Sequence, residues 1–378
     1  MPIPSGSFNG ARVTVAGLGH FGGQIAVCRW LARQGARLTI TDHADEAKLG
    51  ESLAQLADVE ATYRLGGHDL ADFTEADLVV ASPAIPPGSP YLAAAAQAGV
   101  PITTEIRLFV ERCAAPIAAV TGTKGKSTTT AMLGEILHTR FHVFVGGNLG
   151  GSLLPRLDEI GPHDLVVLEL SSYMLHHLGK TDFAPRVAVV TLIAEDHLSW
   201  HGGFDAYLDA KRNIFRRQKP SDRLVLNEGC PWCIGFAQEA PSAVSLFGLA
   251  GRRRFDLLVP GEHNQLNAQA AFAAAAVFDV SWDQAQSALS RFPGLPHRLQ
   301  LVNTHRGVRY YNDSIATIPQ AAVAALESFP PRTVIQIVGG SDKQLDMTPL
   351  CRALVQRAKA ALCIGQTGPA IARRIAES

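Results

Sequence analysis

An α/β fold made of serial parallel-sheet units is what the chain predicts, and three features carry that expectation. Short apolar runs alternate with segments of helical spacing from end to end, which favours parallel sheet with crossover helices. Two of the strand-to-helix junctions carry glycine-rich turns, Gly17-Leu-Gly-His-Phe-Gly22 and Gly122-Thr-Lys-Gly-Lys-Ser127. Finally, 378 residues exceed one core and suit two or three domains at the usual size of about 100 to 200 residues each.

The first unit begins with the strand Arg12 to Ala16, after which Gly17, Gly19 and Gly22 open a helix running to about Gln34. A second strand, Ala36 to Thr41, ends at Asp42, near the spacing of about 20 residues at which a dinucleotide-binding βαβ unit carries its acidic residue. Any nucleotide diphosphate satisfies the same geometry, because it needs only a helix N-terminus for the pyrophosphate and a carboxylate for a sugar or base edge. Leu78 to Ala81 reads as a third strand, entering Ser82-Pro83-Ala-Ile-Pro-Pro87, a rigid loop at the carboxyl end where ligands of open sheets sit. Helices around Tyr91 to Ala98 and Ile106 to Cys113 lead to a boundary near residue 113.

The second unit is organised around Ile117 to Leu137. Ile117 to Val120 is an apolar strand, Gly122 and Gly125 let the backbone curl around an anion, and Ser127 to Leu137 has helical spacing. Such a turn aims several N–H groups at one point, where the helix N-terminus adds about half a positive charge. Lys126 is placed to reach outer phosphates and the Ser127 hydroxyl to hold Mg²⁺. The general phosphate-loop pattern has its first glycine at the position of Val120, so this loop is a variant that uses Gly122.

Further strands deliver polar residues to the same sheet edge. Val143-Phe-Val runs into Gly146-Gly-Asn148-Leu-Gly-Gly151, and Leu165 to Leu168 delivers Glu169-Leu-Ser171-Ser172, a carboxylate where a nucleotide's Mg²⁺ is commonly held. Val187 to Thr191 leads to Glu195-Asp196-His197, so His197 can share that cluster. The next helix puts Lys211 among Tyr207, Leu208, Ile214 and Phe215, and a buried cation beside Mg²⁺ must pair with phosphate or lose its charge. Asn264 and Asn267 stand three apart at the start of an alanine-rich helix. Phe292-Pro-Gly-Leu-Pro-His-Arg298 reads as a second linker. Beyond it lie the strand Val308 to Asn312, followed by Asp313, then a helix from Ile318 to Leu326 and strands at Thr333 to Val338 and Ala361 to Ile364.

Lys+Arg and Asp+Glu balance at 34 each, so no strong field recruits nucleic acid or anionic membrane, and phosphate recognition must be local. No apolar run reaches the roughly 18 residues of a membrane span and no signal peptide is evident. No membrane insertion and a cytoplasmic location are expected. Six cysteines are too few and scattered for a disulfide scaffold, and Cys230-Pro-Trp-Cys233, a CxxC with no second pair and no strand-turn-helix redox context, is expected in a surface loop, with a redox or zinc site as the alternative.

The ordered motifs GLGHFG, TEIRLF, TGTKGKST, GGNLGG, LELSSYML, EDHL, YLDAKRNIF, GEHNQLNAQAA, GLPHR, YNDSIAT and GGSDK resemble the Mur ligases of peptidoglycan synthesis, in particular the MurD type, which adds glutamate to UDP-N-acetylmuramoyl-L-alanine. The resemblance implies ATP and Mg²⁺ as cofactors. The fold it implies has a Rossmann-like UDP-substrate domain at 1–113, a P-loop-type ATP domain at 114–294 and a partial Rossmann-like amino-acid domain at 295–378. That last domain is expected to be incomplete, because family members continue for another strand-rich stretch.

By the same resemblance Gly122, Thr123, Lys124, Gly125, Lys126, Ser127 and Thr128, with Asn264, Asn267, Arg298 and Asp313, hold the nucleotide. Ser127, Glu169, His197 and Lys211 hold the metal, Lys211 as the lysine that is carbamylated in the family. Lys126, Glu169, His197 and Lys211 form the catalytic set. Gly17, Gly19, His20, Phe21, Gly22 and Asp42 seat UDP, and Ser82, Asn148 and Ser171 complete the substrate contacts, Asn148 toward the muramoyl part. Ile315 stands where many members have lysine, so that cationic phosphate contact is absent or supplied elsewhere, for instance by Lys343. The small-molecule partners implied are UDP-N-acetylmuramoyl-L-alanine and glutamate, and a monomer is expected. The rival readings are another Mur or folylpolyglutamate-type ligase, an inactive nucleotide-binding fragment, and an NAD-dependent oxidoreductase, which leaves GTKGKST idle.

Overall fold

The computed structural model describes residues 8–20 and 22–377. They divide into two compact units, the first comprising residues 1–130 and 140–246, the second residues 131–139 and 247–378.

The first unit contains two parallel sheets. One is formed by β1 (Arg12–Ala16), β2 (Arg37–Asp42), β3 (Ala61–Leu65), β4 (Leu78–Ala81) and β5 (Ile102–Thr103), in the order β3-β2-β1-β4-β5. Strand order reverses between β1 and β4, and that is where an open sheet leaves a crevice at its carboxyl ends. Pairing of Ala16 with both Thr41 and Ala81 brings Gly17, Asp42 and Ser82 to that one edge. The helix Gly23–Arg33 turns Ile25, Val27, Cys28, Trp30 and Leu31 into the core.

The other sheet is built from β6 (Ile117–Thr121), β7 (Val143–Gly147), β8 (Leu165–Glu169), β9 (Val187–Val190), β10 (Arg223–Asn227) and β11 (Ala243–Phe247), in the order β11-β10-β9-β6-β8-β7. Every residue of β8 and β9 is buried, as strands covered on both faces require, and this explains their unbroken apolar character. Burial of each Val or Leu stabilises by about 1.5–3 kcal/mol. β6 lies between β8 and β9, with Val120 opposite Glu169 and Thr121 opposite Val190, so the loop after β6 sits between the polar ends of its neighbours.

The second unit carries the helices Glu262–Ala275 and Trp282–Leu289, then an antiparallel pair, β12 (Gln300–His305) with β13 (Val308–Asn312). It continues with β14 (Ile335–Gly339) and β15 (Ala360–Ile364), which pair in parallel. Around them lie the helices Pro319–Glu327, Thr348–Arg357 and Gly368–Ala376. Val338 packs with Leu326, Leu350, Leu354 and Ile371. Ile335, Ile337, Leu362 and Ile364 remain exposed at 56%, 63%, 52% and 54%.

Several elements differ from the sequence reading. Leu78–Ala81 is the fourth strand, because β3 precedes it; Thr62, Tyr63 and Arg64 of β3 are all exposed, so this edge strand carries no apolar run. The CxxC segment is not a surface loop. It opens the helix Pro231–Glu239 directly after β10, and both cysteines are buried. Only Pro231 and Trp232 face outward, which is why the tetrapeptide read as surface.

Candidate active site at the Gly122 to Ser127 loop

The loop leaving β6 is fastened to the segment that leaves β9. Gly122 has φ 149°, and a Cβ there would lie 2.0 Å from Thr191 Oγ1 and 3.0 Å from the Leu192 carbonyl, so no side chain fits. Thr123 N donates to the Leu192 carbonyl at 2.5 Å. Thr123 Oγ1 donates to the Ala194 carbonyl and accepts from Ala194 N, both at 3.0 Å, and lies 2.7 Å from the Tyr207 hydroxyl. Thr191 Oγ1 donates to the Lys124 carbonyl at 2.6 Å. With its backbone held this way the loop is preorganised, and Lys126 Nζ reaches back to the Thr123 carbonyl at 3.1 Å. Ser127 and Thr128 occupy the first turn of the helix Lys126–Leu137, half-buried.

Lys211 lies beneath this loop. Its Nζ donates to Thr121 Oγ1 at 3.0 Å and to the Gly122 carbonyl at 2.8 Å, and the residue is 1% exposed. Burial first, then the charge of Lys126, lowers its pKa well below the ordinary lysine value, against the pull of Asp196 and Glu169. Burial of the amine beside two neutral acceptors thus favours its uncharged form.

Glu169 ends β8 and is also buried. Asn148 Nδ2 donates to its Oε1 at 3.0 Å, and Asn148 N to its carbonyl at 2.9 Å. Gly147 (φ 91°) presses so closely on it that a Cβ would stand 2.4 Å from the Glu169 carbonyl oxygen. Glu169 Oε2 is buried with no partner, and an unmet carboxylate oxygen beside a phosphate loop fits a hard divalent cation, which takes one or two carboxylates and completes its shell with phosphate and water. His197, at φ 52°, precedes the short helix Leu198–His201; its Nε2 is 3.6 Å from Asp196 and its ring centroid 4.8 Å from that of Tyr173. Among the described residues no group of three or more His, Cys, Asp or Glu side chains is gathered as a metal site.

At the edge of the first sheet, Gly17 (φ 78°) allows the Ser82 loop to approach, since a Cβ would meet Ser82 Cβ at 3.0 Å. Asp42 braces the glycine loop: Gly19 N donates to its Oδ2 at 3.0 Å and Ala44 N to its Oδ1 at 2.8 Å. Gly22 (φ 77°) caps the helix Gly23–Arg33, His20 is exposed, and Phe21 lies outside the described residues. Beside this loop an open cavity of about 500 Å³ is lined by His68, Asp69, Leu70, Pro90 and Tyr91, with His68 Nδ1 2.6 Å from Thr41 Oγ1. Ser171 accepts from Met174 N at 3.2 Å and so caps the helix Ser172–Leu178.

In the second unit, Asn264 and Asn267 lie on one side of the helix Glu262–Ala275, both buried. Asn267 Nδ2 donates to Asn264 Oδ1 at 3.3 Å and Asn264 Nδ2 to the Pro260 carbonyl at 2.6 Å. Asp313 Oδ1 accepts from Leu299 N at 2.9 Å, next to the exposed Arg298, and burial raises its pKa. The structure thus gathers the Gly122 loop, Lys211, Glu169 and Asn148 at one sheet edge. Sequence reasoning missed the Thr191–Ala194 segment and the Tyr207 hydroxyl, whose only signal was a threonine at the end of an apolar strand.

A glycine-bearing strand-loop-helix at the carboxyl edge of a parallel sheet, with a buried lysine beneath it, defines an α/β protein of the phosphate-loop class. Three family descriptions match this chain: the MurD-like N-terminal domain at residues 11–104, the Mur ligase middle domain at 120–256 and the Mur ligase glutamate ligase domain at 297–378. The UDP-N-acetylmuramoylalanine--D-glutamate ligase of Roseiflexus sp. (strain RS-1) is 41% identical, over 95% of this chain and 84% of that protein. The enzyme of the same name from Anaeromyxobacter dehalogenans (strain 2CP-C) is 40% identical, over 97% and 86%. Among solved structures, the UDP-N-acetylmuramate-alanine ligase MurC from Thermotoga maritima superposes with a TM-score of 0.65 over 97% of this chain and 88% of its own, at 22% identity, a likeness of fold. The chain belongs to the Mur ligase family.

Proposed function

We propose that the protein is an ATP-dependent ligase that joins D-glutamate to UDP-N-acetylmuramoyl-L-alanine in peptidoglycan precursor synthesis. The substrates follow from the names of relatives about two-fifths identical over almost the whole chain. What carries the reading in the structure is the Gly122 loop pinned to residues 191–194, with Lys126 at its mouth and buried Lys211 below. The substrate carboxylate attacks the γ-phosphorus of ATP and ADP leaves. The amine of glutamate then attacks the acyl phosphate, and the tetrahedral intermediate collapses to an amide and phosphate.

Here the loop amides and Lys126 bind and orient the triphosphate and stabilise charge on the transferred group, worth about 10² to 10³ in rate per well-aimed donor. Glu169, Ser127, His197 and a modified Lys211 are the groups that would hold Mg²⁺, which when bound neutralises charge on the phosphates. The uncharged Lys211 amine is the form that adds CO₂, losing a proton to become a carbamate and turning a side chain that repels a cation into one that ligates it. Asn148 fixes the Glu169 carboxylate. Gly17, Gly19, His20, Phe21, Gly22 and Asp42 with Ser82 and Ser171 are assigned to the UDP-sugar side, and Asn264, Asn267, Arg298 and Asp313 to the nucleotide.

The same proposal takes 1–113, 114–294 and 295–378 as UDP-substrate, ATP and amino-acid domains, supported by family matches that fall inside each span. It includes a cytoplasmic monomer. Among the described residues no helix is long and apolar enough to cross a membrane.

The test is ADP release from ATP with UDP-N-acetylmuramoyl-L-alanine and either D- or L-glutamate. Release is expected with D-glutamate and to fall at least 100-fold in Lys126→Ala, whose affinity for a Mg·ATP analogue by calorimetry is also lost. Equal affinity in the parent and Lys126→Ala chains would remove the loop from the site.

A further inference from the structure

Two thiols meet in the core of the first unit. Cys230 caps the helix Pro231–Glu239 and Cys233 lies in its first turn; they are 1% and 0% exposed, whereas Trp232 between them is 47% exposed. Cys230 Sγ donates to the Ile193 carbonyl and Cys233 Sγ to the Val190 carbonyl, each at 3.9 Å. The Cys233 thiol is also in hydrogen-bonding reach of the Cys230 sulfur. Both sulfurs therefore sit at the start of one helix, within its first turn, and press on the same stretch of backbone.

That stretch is the one that grips the phosphate loop. Between the two carbonyls lies Thr191, whose own carbonyl accepts from Asn227 Nδ2 at 2.8 Å and whose hydroxyl holds Lys124. Leu192 and Ala194 hold Thr123. Residues 190–194 are thus clasped on one side by the Asn227–Cys233 turn and on the other by the Gly122 loop.

We propose that Cys230 and Cys233 form a reversible dithiol–disulfide site, oxidised by hydrogen peroxide and reopened by small dithiols, that sets how firmly residues 190–194 hold the Gly122 loop. The hydrogen bond from Cys233 outweighs burial and draws the Cys230 thiol down to about 6, while the same pairing pushes Cys233 up. Cys230 is accordingly the attacking thiolate and Cys233 the protonated partner.

The Cys230 sulfur bonds to one peroxide oxygen, the O–O bond breaks and hydroxide leaves, giving a sulfenic acid. The Cys233 sulfur then forms the S–S bond, the S–O bond breaks, and the departing hydroxide takes up the Cys233 proton as water. Two thiols and one peroxide become one disulfide and two waters, and a small dithiol reverses the change by thiol–disulfide exchange. In the oxidised form neither sulfur can donate, so the Val190 carbonyl loses the Cys233 S–H and the Ile193 carbonyl the S–H of protonated Cys230. The effect on nucleotide rests on the function proposed above; the disulfide does not.

The experiment exposes the full folded chain to hydrogen peroxide, alkylates it and reads peptide masses, with hydrogen exchange at residues 121–125 and 191–194 followed alongside. A 230–233 peptide lighter by two hydrogens and restored by dithiothreitol is expected, with faster exchange in both segments that reverses on reduction. Cys28, pushed up to about 12 by burial, stays reduced as an internal control. In Cys233→Ser the Cys230 sulfenic acid is expected to persist and be captured by dimedone. In Cys230→Ser no adduct forms at 233, and melting curves confirm that both variants are folded. Intact thiols at both positions, oxidation running on to sulfinic acid in the parent chain, or unchanged exchange in the two segments on disulfide formation would each overturn the proposal. Failure of the reduced chain to bind a Mg·ATP analogue would instead count against the ligase reading and leave the disulfide result standing.

Discussion

Gly122 illustrates how far a single position constrains this molecule. Its φ of 149° belongs to a region that essentially only glycine uses, and the space a Cβ needs is filled by Thr191 Oγ1. Gly122→Ala is expected to cost about 1–3 kcal/mol in backbone strain alone, to lower the melting temperature and to abolish binding of a Mg·ATP analogue by calorimetry. Glu105 gives a pH-dependent counterpart. Burial, opposed by the hydrogen bond from Ser152, raises its pKa from 4.5 to about 7. The folded state therefore binds this proton more tightly than the unfolded chain, so the contribution of Glu105 to stability is greatest below pH 4.5 and falls as pH rises to about 7, by on the order of 3 kcal/mol. Glu105→Gln should flatten that window, raising the urea midpoint at pH 7.5 relative to the parent and changing it little at pH 4. The glycines, Lys126 and Glu169 were legible because spacing within a strand-loop-helix fixes where they fall. Glu105 was not, since a carboxylate in a helix reads as a solvated face until its neighbours are known.

At the scale of elements, the strands buried on both faces announced themselves as unbroken apolar runs, and β3 did not, because an edge strand with three exposed residues in five has no such run. The Cys230 turn was misread for a related reason: its two outward residues mask two inward ones. Ser171 shows a candidate ligand contact doing local work as the cap of the helix Ser172–Leu178. Ser171→Ala is expected to cost about 1 kcal/mol of stability through the lost cap, read as a shift in denaturant midpoint. A drop in substrate affinity greater than that shift accounts for would bear out its assignment to the UDP-sugar side. Likewise the pairing of Asn264 with Asn267 was visible as a spacing, whereas the reach of Asn264 to Pro260 depended on a turn that no periodicity encodes.

Across the whole molecule, charge is balanced at 34 against 34, so nucleotide affinity must come from the loop amides and a few cations and not from a general field. Binding of a Mg·ATP analogue at about 100 times its Kd should stabilise the folded chain by about 2.7 kcal/mol, observed as a rise in melting temperature that Lys126→Ala abolishes. The same balance leaves little repulsion between copies. With no net charge to keep molecules apart, the aliphatic ridge of Ile335, Ile337, Leu362 and Ile364 gives the chain an amphiphilic face through which copies can adhere. Concentrated samples should scatter light at low ionic strength, and a single lysine at Ile337 should clear them while leaving the melting of the first unit untouched.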